Sequence, residues 1–402
     1  MKKLLFVYDR MMTGGTTTAL LSLLYMLDYS RYSVDLLMFD NSGEYLSDIP
    51  KQVHILPVAQ KPSRVKGLSV SKRKIIRTAA NGGFIKALFA YGKYRSTPKG
   101  KLRNILMHYG VEAQVSISRS IEEQYDAAIG FIEGWAAHYV LSPKVKAHKK
   151  IIWVHPDYKD SYLIPEVDDA PFRYADAIVT VSEKCRINMQ SFFPQYQEKI
   201  CVIENMVSSD WIVRHAEETE ANVDAKILNL CTVCRCDMDV KGLDRMINVI
   251  SKLRDEGLFA DARWHLIGDG KDYLQVENIV RKRELSEYIH LYGMKKNPLP
   301  YLKKMDLFVL PSRYEGKPVS ITEALCLGVP CVVTNYTSAH EQISSGENGL
   351  IAPNSEQGLY DALKRILEDR EYLTELREGA QKCAYDSKDE LKKLYKILER
   401  SE

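Results

Sequence analysis

Two glutamates lie close behind a short apolar segment, at a spacing that could hold a ligand rich in hydroxyl groups. The segment Leu307–Leu310 is predicted to be a strand; it is followed by Glu315 and, after seven further residues, by Glu323. Ligands of parallel sheets bind at the carboxyl ends of the strands, so Glu315 lies where a reacting group would sit. Glu323 falls inside the next predicted helix, where a carboxylate can chelate vicinal hydroxyls. The alternative is that both acids only offset the helix dipole.

The start of that helix predicts a phosphate site between the two glutamates. Gly316 permits close approach of a ligand to the backbone, and Pro318 suits the first helical position. Lys317 adds a cation, and the backbone N–H groups of Val319 and Ser320 can donate to an anion. A phosphate between two carboxylates fits a sugar nucleotide, with one acid for the sugar and one for the ribose.

Two further loops suit a diphosphate. Arg235 follows the predicted strand 227–233 and Lys241 opens the next helix, so two cations flank a helix start. Gly14 and Gly15 follow the first predicted strand, where the backbone could pass close to a ligand. The alternatives are a pair of solvated surface cations and an ordinary strand-to-helix turn.

His155 ends the predicted strand 150–155, so its ring would point toward a ligand, although a structural histidine is the simpler alternative. Asp237 and Asp239 form an Asp-x-Asp triplet of a kind that can bind manganese. Two carboxylates beside a diphosphate would repel it unless they turned to solvent or a metal bridged them. We therefore expect no catalytic metal.

The elements that must position these residues alternate between strands and helices. Near-continuous Val, Ile and Leu strands separated by helices predict parallel sheets covered on both faces. The acidic segment 210–224 lacks an apolar period and is predicted to be a linker. We expect an α/β protein with two doubly wound, Rossmann-like domains that face a cleft, 1–207 and 208–384, and a final helix in 385–402. The predicted strands are 3–8, 34–39, 53–58, 127–132, 150–155, 177–181, 200–203, 227–233, 263–267, 290–292, 307–310, 330–334 and 350–352.

Composition excludes several other classes of protein. With 402 residues, 45% hydrophobic and 27% charged, the chain is neither collagen-like nor mostly disordered. Asp9 and Arg10 end the first apolar stretch too early for a secretory signal, and no apolar run is long enough to span a membrane, which predicts a cytosolic protein. No glycine-rich motif supports a nicotinamide or P-loop site. The cluster Cys231, Cys234 and Cys236 has no second pair at zinc-finger spacing and is predicted to consist of buried thiols.

Positive charge is concentrated in one region. Residues 49–111 contain 14 Lys and Arg but no Asp or Glu, whereas the whole chain has a net charge of only +3. Basic residues alternate there with Phe, Leu and Tyr, as in segments that lie on a membrane. We expect 61–103 to contact an anionic membrane surface; a solvated basic face is the alternative. No recognition motif for nucleic acid accompanies this region.

Together these motifs resemble the retaining GT-B glycosyltransferases of family 4, a group that includes many bacterial capsule and exopolysaccharide enzymes. The resemblance rests on the Glu-x7-Glu motif, on ALCLGVP at 324–330 directly after it, on the GDG loop at 268–270, on NGL at 348–350 and on ADAIVTVS at 175–182. The spacing from Arg235 to Lys241 is six rather than the common five, and Lys317 replaces a frequent apolar residue. The resemblance also implies that the final helix, in 385–402, crosses back to the first domain.

The resemblance implies a role for each candidate residue. Glu315 would contact the donor sugar and Glu323 the ribose. Arg235 and Lys241 would bind the diphosphate, and His155 would bind the sugar near the reacting carbon. Further contacts with the donor would come from Gly14, Gly15, Gly268, Met294, Gly316, Lys317, Pro318, Val319 and Ser320.

The resemblance also implies a reaction. A hexosyl group would pass, with retention, from a nucleotide sugar, UDP-sugar being favoured, to a hydroxyl of a lipid-linked or oligosaccharide acceptor in capsule, exopolysaccharide or O-antigen assembly. Neither a metal nor a cofactor would be required. The enzyme would be cytoplasmic and peripheral at the inner face of the cell membrane. The alternatives are a UDP-sugar 2-epimerase-type isomerase of the same fold and a non-catalytic sugar-nucleotide-binding protein.

Overall fold

A computed structural model describes most of the chain, in two compact units. Unit 1 comprises Met1–Met12, Leu24–Glu204 and Glu390–Glu402, and unit 2 comprises Thr13–Leu23 and Asn205–Asp389. The predicted membrane region, 61–103, lies outside the described residues. The described residues are 1–59, 111–112, 114–116, 118–161, 163–218, 221–383, 385 and 387–400.

Seven parallel strands form the sheet of unit 1. They are β1 (Lys2–Tyr8), β2 (Tyr32–Met38), β3 (Val53–Ile55), β4 (Gln124–Gly130), β5 (Lys146–Val154), β6 (Ala177–Thr180) and β7 (Ile200–Val202). Their order is β3-β2-β1-β4-β5-β6-β7, so the chain winds outward in one direction from β1 and in the other from β4. The boundary between β1 and β4 is the topological switch point, where ligands of doubly wound sheets bind.

Six parallel strands form the sheet of unit 2. They are β8 (Leu228–Val233), β9 (Ala262–Ile267), β10 (Ile289–Gly293), β11 (Leu307–Leu310), β12 (Cys331–Thr334) and β13 (Gly349–Ala352). Their order, β10-β9-β8-β11-β12-β13, places the switch point between β8 and β11. The apolar runs explain the parallel arrangement, because every residue of β11 and β12 is buried. The two sheets confirm the predicted α/β fold with two doubly wound domains.

The helices alternate with the strands. In α7, six residues including Leu243, Ile247 and Ile250 form a buried apolar stripe. The helices are α1 (Gly15–Met26), α2 (Trp135–Leu141), α3 (Pro165–Phe172), α4 (Glu183–Phe192), α5 (Ser209–His215), α6 (Met238–Lys241), α7 (Leu243–Asp255), α8 (Tyr273–Lys282), α9 (Leu299–Lys303), α10 (Val319–Cys326), α11 (Glu356–Glu368), α12 (Arg370–Gln381) and α13 (Lys388–Glu399).

Helix α5 corrects the linker prediction over 210–224. The Ser208 hydroxyl accepts a hydrogen bond of 3.3 Å from the backbone N–H of Trp211 and so caps the helix. Ile212 is the buried residue of this helix. One buried side chain in two turns gives no apolar period, which is why the sequence pattern did not reveal the helix.

The C-terminal helix α13 contacts the sheet of unit 1. The Tyr395 ring stacks on that of Tyr32 with 5.3 Å between centroids, and Glu399 forms an ion pair with Arg31. The Lys149 ammonium donates to the carbonyl of Ile397 at 2.8 Å. The predicted return of this helix to the first domain is therefore confirmed. Among the described residues, no helix has the length and apolar composition that crossing a bilayer requires.

Candidate functional site

The switch point of the unit 2 sheet carries an ion pair between Lys241 and Glu315. The Lys241 Nζ atom lies 2.6 Å from Oε1 of Glu315, and the two side chains are 17% and 10% exposed. Lys241 follows β8 and Glu315 follows β11, and these two strands are adjacent and parallel. A pair so little exposed is screened less by water than a surface pair. The fold thus brings together a cation and a carboxylate that the sequence assigned to the diphosphate and the sugar.

Glu315 has a second donor, which the sequence analysis missed. The Ser312 hydroxyl is completely buried and donates to the same Oε1 atom at 2.6 Å. The Thr334 hydroxyl of β12 in turn donates to the carbonyl of Ser312. Gly316, directly after the carboxylate, is buried. Within the part of the chain that the structure describes, no protein group donates a hydrogen bond to Oε2 of Glu315. This oxygen can therefore accept a hydrogen bond from a ligand.

Helix α10 begins without a side-chain cap. Pro318 precedes it in an extended conformation (φ −68°, ψ 124°), and among the described residues no side-chain capping bond is present at its start. The backbone N–H groups around the half-buried Ser320 are therefore available to an anion. Asn205 donates to the carbonyl of Lys317 at 3.1 Å, and Gln342 donates to that of Pro318 at 3.0 Å. These two bonds fix the loop that leads into the helix.

Glu323 is a buried carboxyl group one turn into α10. Its side chain has no hydrogen-bond or ion-pair partner among the described residues, and the residue is only 7% exposed. Burial disfavours the charged form and raises the pKa of Glu323 to about 7. A carboxylate in this position is stabilised by any ligand that donates hydrogen bonds to it, such as a vicinal diol.

The Gly-Gly turn lies beside the start of α10. A Cβ atom built on Gly15 would lie 3.4 Å from Cβ of Val319, whereas one on Gly14 would have nothing within 4 Å. Both glycines are exposed, and their contacts assign them to unit 2. The turn therefore leaves open space next to the uncapped helix start.

The remaining candidates of unit 2 follow β8, β9 and β10. Gly268 follows β9 with φ +140°, and a Cβ there would collide with the carbonyl oxygen of Cys234, so only glycine fits. Arg235 is exposed, and its side chain has no bonding partner in the described ranges. Met294 follows β10 and is 41% exposed. Because β10, β9, β8 and β11 are neighbours, Met294, Gly268, Arg235 and Glu315 lie along one edge of the sheet.

The Asp-x-Asp triplet has protein partners. Asp237 caps α6, since its Oδ1 accepts from the backbone N–H of Val240 at 3.3 Å. The Lys271 ammonium lies 3.1 Å from Asp237 and 3.4 Å from Asp239. The charge of both carboxylates is thus offset by a lysine. Considering only the described residues, no three His, Cys, Asp or Glu side chains are grouped to hold a metal ion.

His155 belongs to unit 1, at the end of β5. Its Nε2–H donates to the carbonyl of Phe131 at 3.0 Å, which fixes the orientation of the ring. Its backbone N–H donates to Glu133 at 3.3 Å. Glu133 follows β4 at the switch point of the first sheet, where the carboxyl-end rule could have found it. A contact of His155 with a donor sugar stays a prediction.

Solved structures show which fold class these sheets define. HepE of Anabaena, crystallised with UDP and glucose, is similar with a TM-score of 0.69 and 16% identity, over 99% of both chains. At this identity the likeness shows the fold alone. That fold is GT-B, as the sequence motifs predicted.

Residues 230–383 match the family model described as glycosyl transferases group 1. An uncharacterised glycosyltransferase of Methanocaldococcus jannaschii is 24% identical over 206 residues, 48% of this chain and 50% of the relative. The UDP-Gal:alpha-D-GlcNAc-diphosphoundecaprenol alpha-1,3-galactosyltransferase of Escherichia coli is 30% identical over 118 residues, 29% of this chain and 30% of the relative. The chain thus aligns with half or less of the length of these relatives. The matches show that the second half of the chain is similar to glycosyltransferases, while the assignment to family 4 stays a prediction.

Proposed function

We propose that the protein is a retaining glycosyltransferase that moves a hexosyl group from a nucleotide sugar to a hydroxyl of an acceptor. The observation that carries this proposal is the Lys241–Glu315 pair, with 2.6 Å between Nζ and Oε1, at the sheet's switch point. Cations and an uncapped helix suit a diphosphate, and two carboxylates suit the hydroxyls on either side of it.

The donor would be held at both ends. Lys241, Arg235 and the first-turn N–H groups of α10 bind the diphosphate, and the Gly-Gly turn leaves room beside them. Glu323 accepts from the ribose hydroxyls, which supplies the donors that its buried carboxylate lacks. Oε2 of Glu315 accepts from a sugar hydroxyl while Ser312 and Lys241 hold Oε1.

The transfer step uses the same groups. As the bond between the anomeric carbon and the diphosphate breaks, positive charge develops on the sugar and negative charge on the leaving group. Lys241 and Arg235 stabilise the leaving diphosphate, and Glu315 lies on the sugar side of the same site. The acceptor hydroxyl attacks from the face that the diphosphate leaves and passes its proton to the departing phosphate oxygen, and attack on that face gives retention. Neither a metal ion nor a cofactor is required in this proposal.

A UDP-sugar is the favoured donor, and a lipid-linked or oligosaccharide saccharide is the favoured acceptor. HepE was crystallised with UDP and glucose, and the name of the Escherichia coli relative specifies UDP-Gal and a diphosphoundecaprenol acceptor. A relative from Rhizobium meliloti is named for lipopolysaccharide core biosynthesis. These names support a lipid-linked saccharide acceptor, and the sequence resemblance favours a place in capsule, exopolysaccharide or O-antigen assembly.

We further propose that the enzyme is cytoplasmic and binds the inner face of the cell membrane through 61–103. The support is the sequence of this region, which is basic, aromatic and free of acidic residues. Such a surface would bring the enzyme to a lipid-linked acceptor.

Two measurements test the proposed function. A thermal-shift panel of UDP- and GDP-sugars should identify the donor, because a ligand that binds only the folded state raises its stability. Incubation with UDP-GlcNAc alone then separates the alternatives. A transferase shows at most slow hydrolysis without acceptor, an isomerase converts the sugar, and a sensor binds without turnover. Conversion without acceptor, or binding without any transfer to lipid-linked saccharides, would contradict the proposal.

A further inference from the structure

Arg313 joins the two loops that carry Lys241 and Glu315. Its guanidinium forms two parallel bonds with Asp244, 2.9 Å from Nη1 to Oδ1 and 2.7 Å from Nη2 to Oδ2. The same Nη1 donates to the carbonyl of Met238 at 2.7 Å. Arg313 lies two residues before Glu315, while Met238 and Asp244 lie on either side of Lys241. The side chain of Arg313 is therefore hydrogen-bonded to the Lys241 loop at two residues, Met238 and Asp244.

The backbones of the two loops are also in contact. The Arg313 N–H donates to the carbonyl of Val240 at 2.8 Å. Gly242 has φ +63°, and a Cβ there would collide with the carbonyl oxygen of Pro311. Asn354 donates to the carbonyl of Arg313 at 2.9 Å. Arg313 is thus fixed through its side chain, its N–H and its carbonyl, while the loops have no room to approach further.

We propose that Arg313 is a positioning residue that sets the distance between Lys241 and Glu315. The inference rests on the proposed function, in which one of these residues binds the diphosphate and the other the sugar. The transferred bond joins these two parts of the donor, so their relative position decides whether charge is stabilised where it develops. A misplacement of about 1 Å can cost roughly 10²-fold in rate. The paired geometry with Asp244 requires the planar fork of arginine.

The test compares Arg313→Gln and Asp244→Asn with a matched control, Arg377→Gln. Arg377 forms an ion pair with Asp306 at 3.0 Å and donates to the carbonyl of Met305 at 3.0 Å, before the start of β11 rather than after its end. The two arginine side chains are similarly exposed, at 25% and 33%. The control therefore removes a similar pair in the same unit, at the other end of the same strand.

We expect Arg313→Gln and Asp244→Asn each to lower kcat by about 10–100-fold, with KM for the donor and Kd for UDP changed less than about threefold. The double variant should lose little more than either single variant, because both remove one interaction. Arg377→Gln should shift Tm by a similar amount and leave kcat unchanged. Asp244→Asn keeps the test valid if Arg313→Gln fails to fold.

Unchanged kcat in both site variants, or losses of kcat no larger than that in Arg377→Gln, would overturn the inference. Turnover by the wild-type protein would still uphold the proposed function in that case. A wild-type protein that binds UDP-sugars but never transfers them would overturn the proposed function, and this inference with it.

Discussion

Lys241 Nζ lies 2.6 Å from Oε1 of Glu315, although 74 residues separate the two in sequence. They meet because β8 and β11 are adjacent at the point where the winding of the sheet reverses. The carboxylate keeps the lysine oriented, and the Ser312 hydroxyl, also 2.6 Å from Oε1, keeps the carboxylate oriented. The charges of a donor would therefore meet groups whose positions are already set, which is what electrostatic catalysis requires.

Replacing Lys241 by Ala should slow transfer by roughly 10²–10³-fold, because the cation proposed to stabilise the leaving diphosphate is lost. The measurement is kcat at saturating donor and acceptor, together with Tm. Lys303→Ala is the control, since Lys303 pairs with Glu217 at 2.7 Å on the surface of the same unit. An unchanged rate for Lys241→Ala would mean that the ion pair between Lys241 and Glu315 has only a structural role.

Replacing Glu323 by Gln should stabilise the fold at neutral and alkaline pH. The folded-state pKa of Glu323 is raised by burial to about 7 from an ordinary value of 4.5. Between these values the folded state binds more protons than the unfolded state, so the free energy of unfolding falls as pH rises. The total loss is about 3 kcal/mol and is complete above pH 7. Urea unfolding at pH 5 and pH 8 should show a larger gain for Glu323→Gln at pH 8.

The same substitution should weaken nucleotide-sugar binding. In the proposed complex the ribose hydroxyls donate better to a carboxylate than to a carboxylic acid. Wild-type affinity should therefore rise as pH passes upward through about 7, the pKa of Glu323, and the affinity of Glu323→Gln should be weaker and independent of pH. Calorimetric titration from pH 6 to pH 8 measures this. Glu368→Gln, at an exposed position, is the control and should bind like the wild type. If Glu323→Gln also bound with wild-type affinity, Glu323 would not be part of the ribose site.

Activity should survive EDTA. The charges of Asp237 and Asp239 are offset by Lys271, with distances of 3.1 Å and 3.4 Å, so the proposed step draws on protein cations alone. The assay is transfer after dialysis against the chelator. If activity were lost with EDTA and returned on addition of manganese, the Asp237–Asp239 triplet would be a candidate metal site after all.

Replacing Lys72, Arg73, Lys74 and Arg77 together by Glu should abolish sedimentation with anionic vesicles. Each basic residue near such a surface contributes about 1 kcal/mol, and the change reverses that attraction. UDP affinity should be unchanged. A wild-type protein that ignores these vesicles at low salt would contradict the membrane proposal.

Much of the fold followed from the sequence because its strands are short, continuous apolar runs. The predicted segment 307–310 coincides with β11, and every residue of that strand is buried. Helix α5 was missed since Ile212 alone is buried in it. Pro318 was predicted at the first helical position of α10, but its extended backbone (ψ 124°) places it directly before the helix, which begins at Val319.

Part of the site depended on contacts that no local pattern contains. The carboxyl-end rule selected Glu315, Lys241 and Arg235 one by one. The bond from Ser312 depends on the path of the loop after β11, and the pairing of Arg313 with Asp244 depends on β8 lying beside β11. From the sequence alone, Ser312 and Arg313 are indistinguishable from solvent-exposed loop residues. Their contacts become visible only once the arrangement of β8 and β11 is known.

The most direct test of the account is the release of free nucleotide from the donor, with and without a lipid-linked acceptor, by wild-type protein and by Glu315→Ala. We expect release to require acceptor, and to fall by at least about 100-fold in the variant while its affinity for UDP stays close to wild type. Acceptor-independent conversion of the donor, or equal release by both proteins, would contradict a glycosyltransferase centred on Lys241 and Glu315.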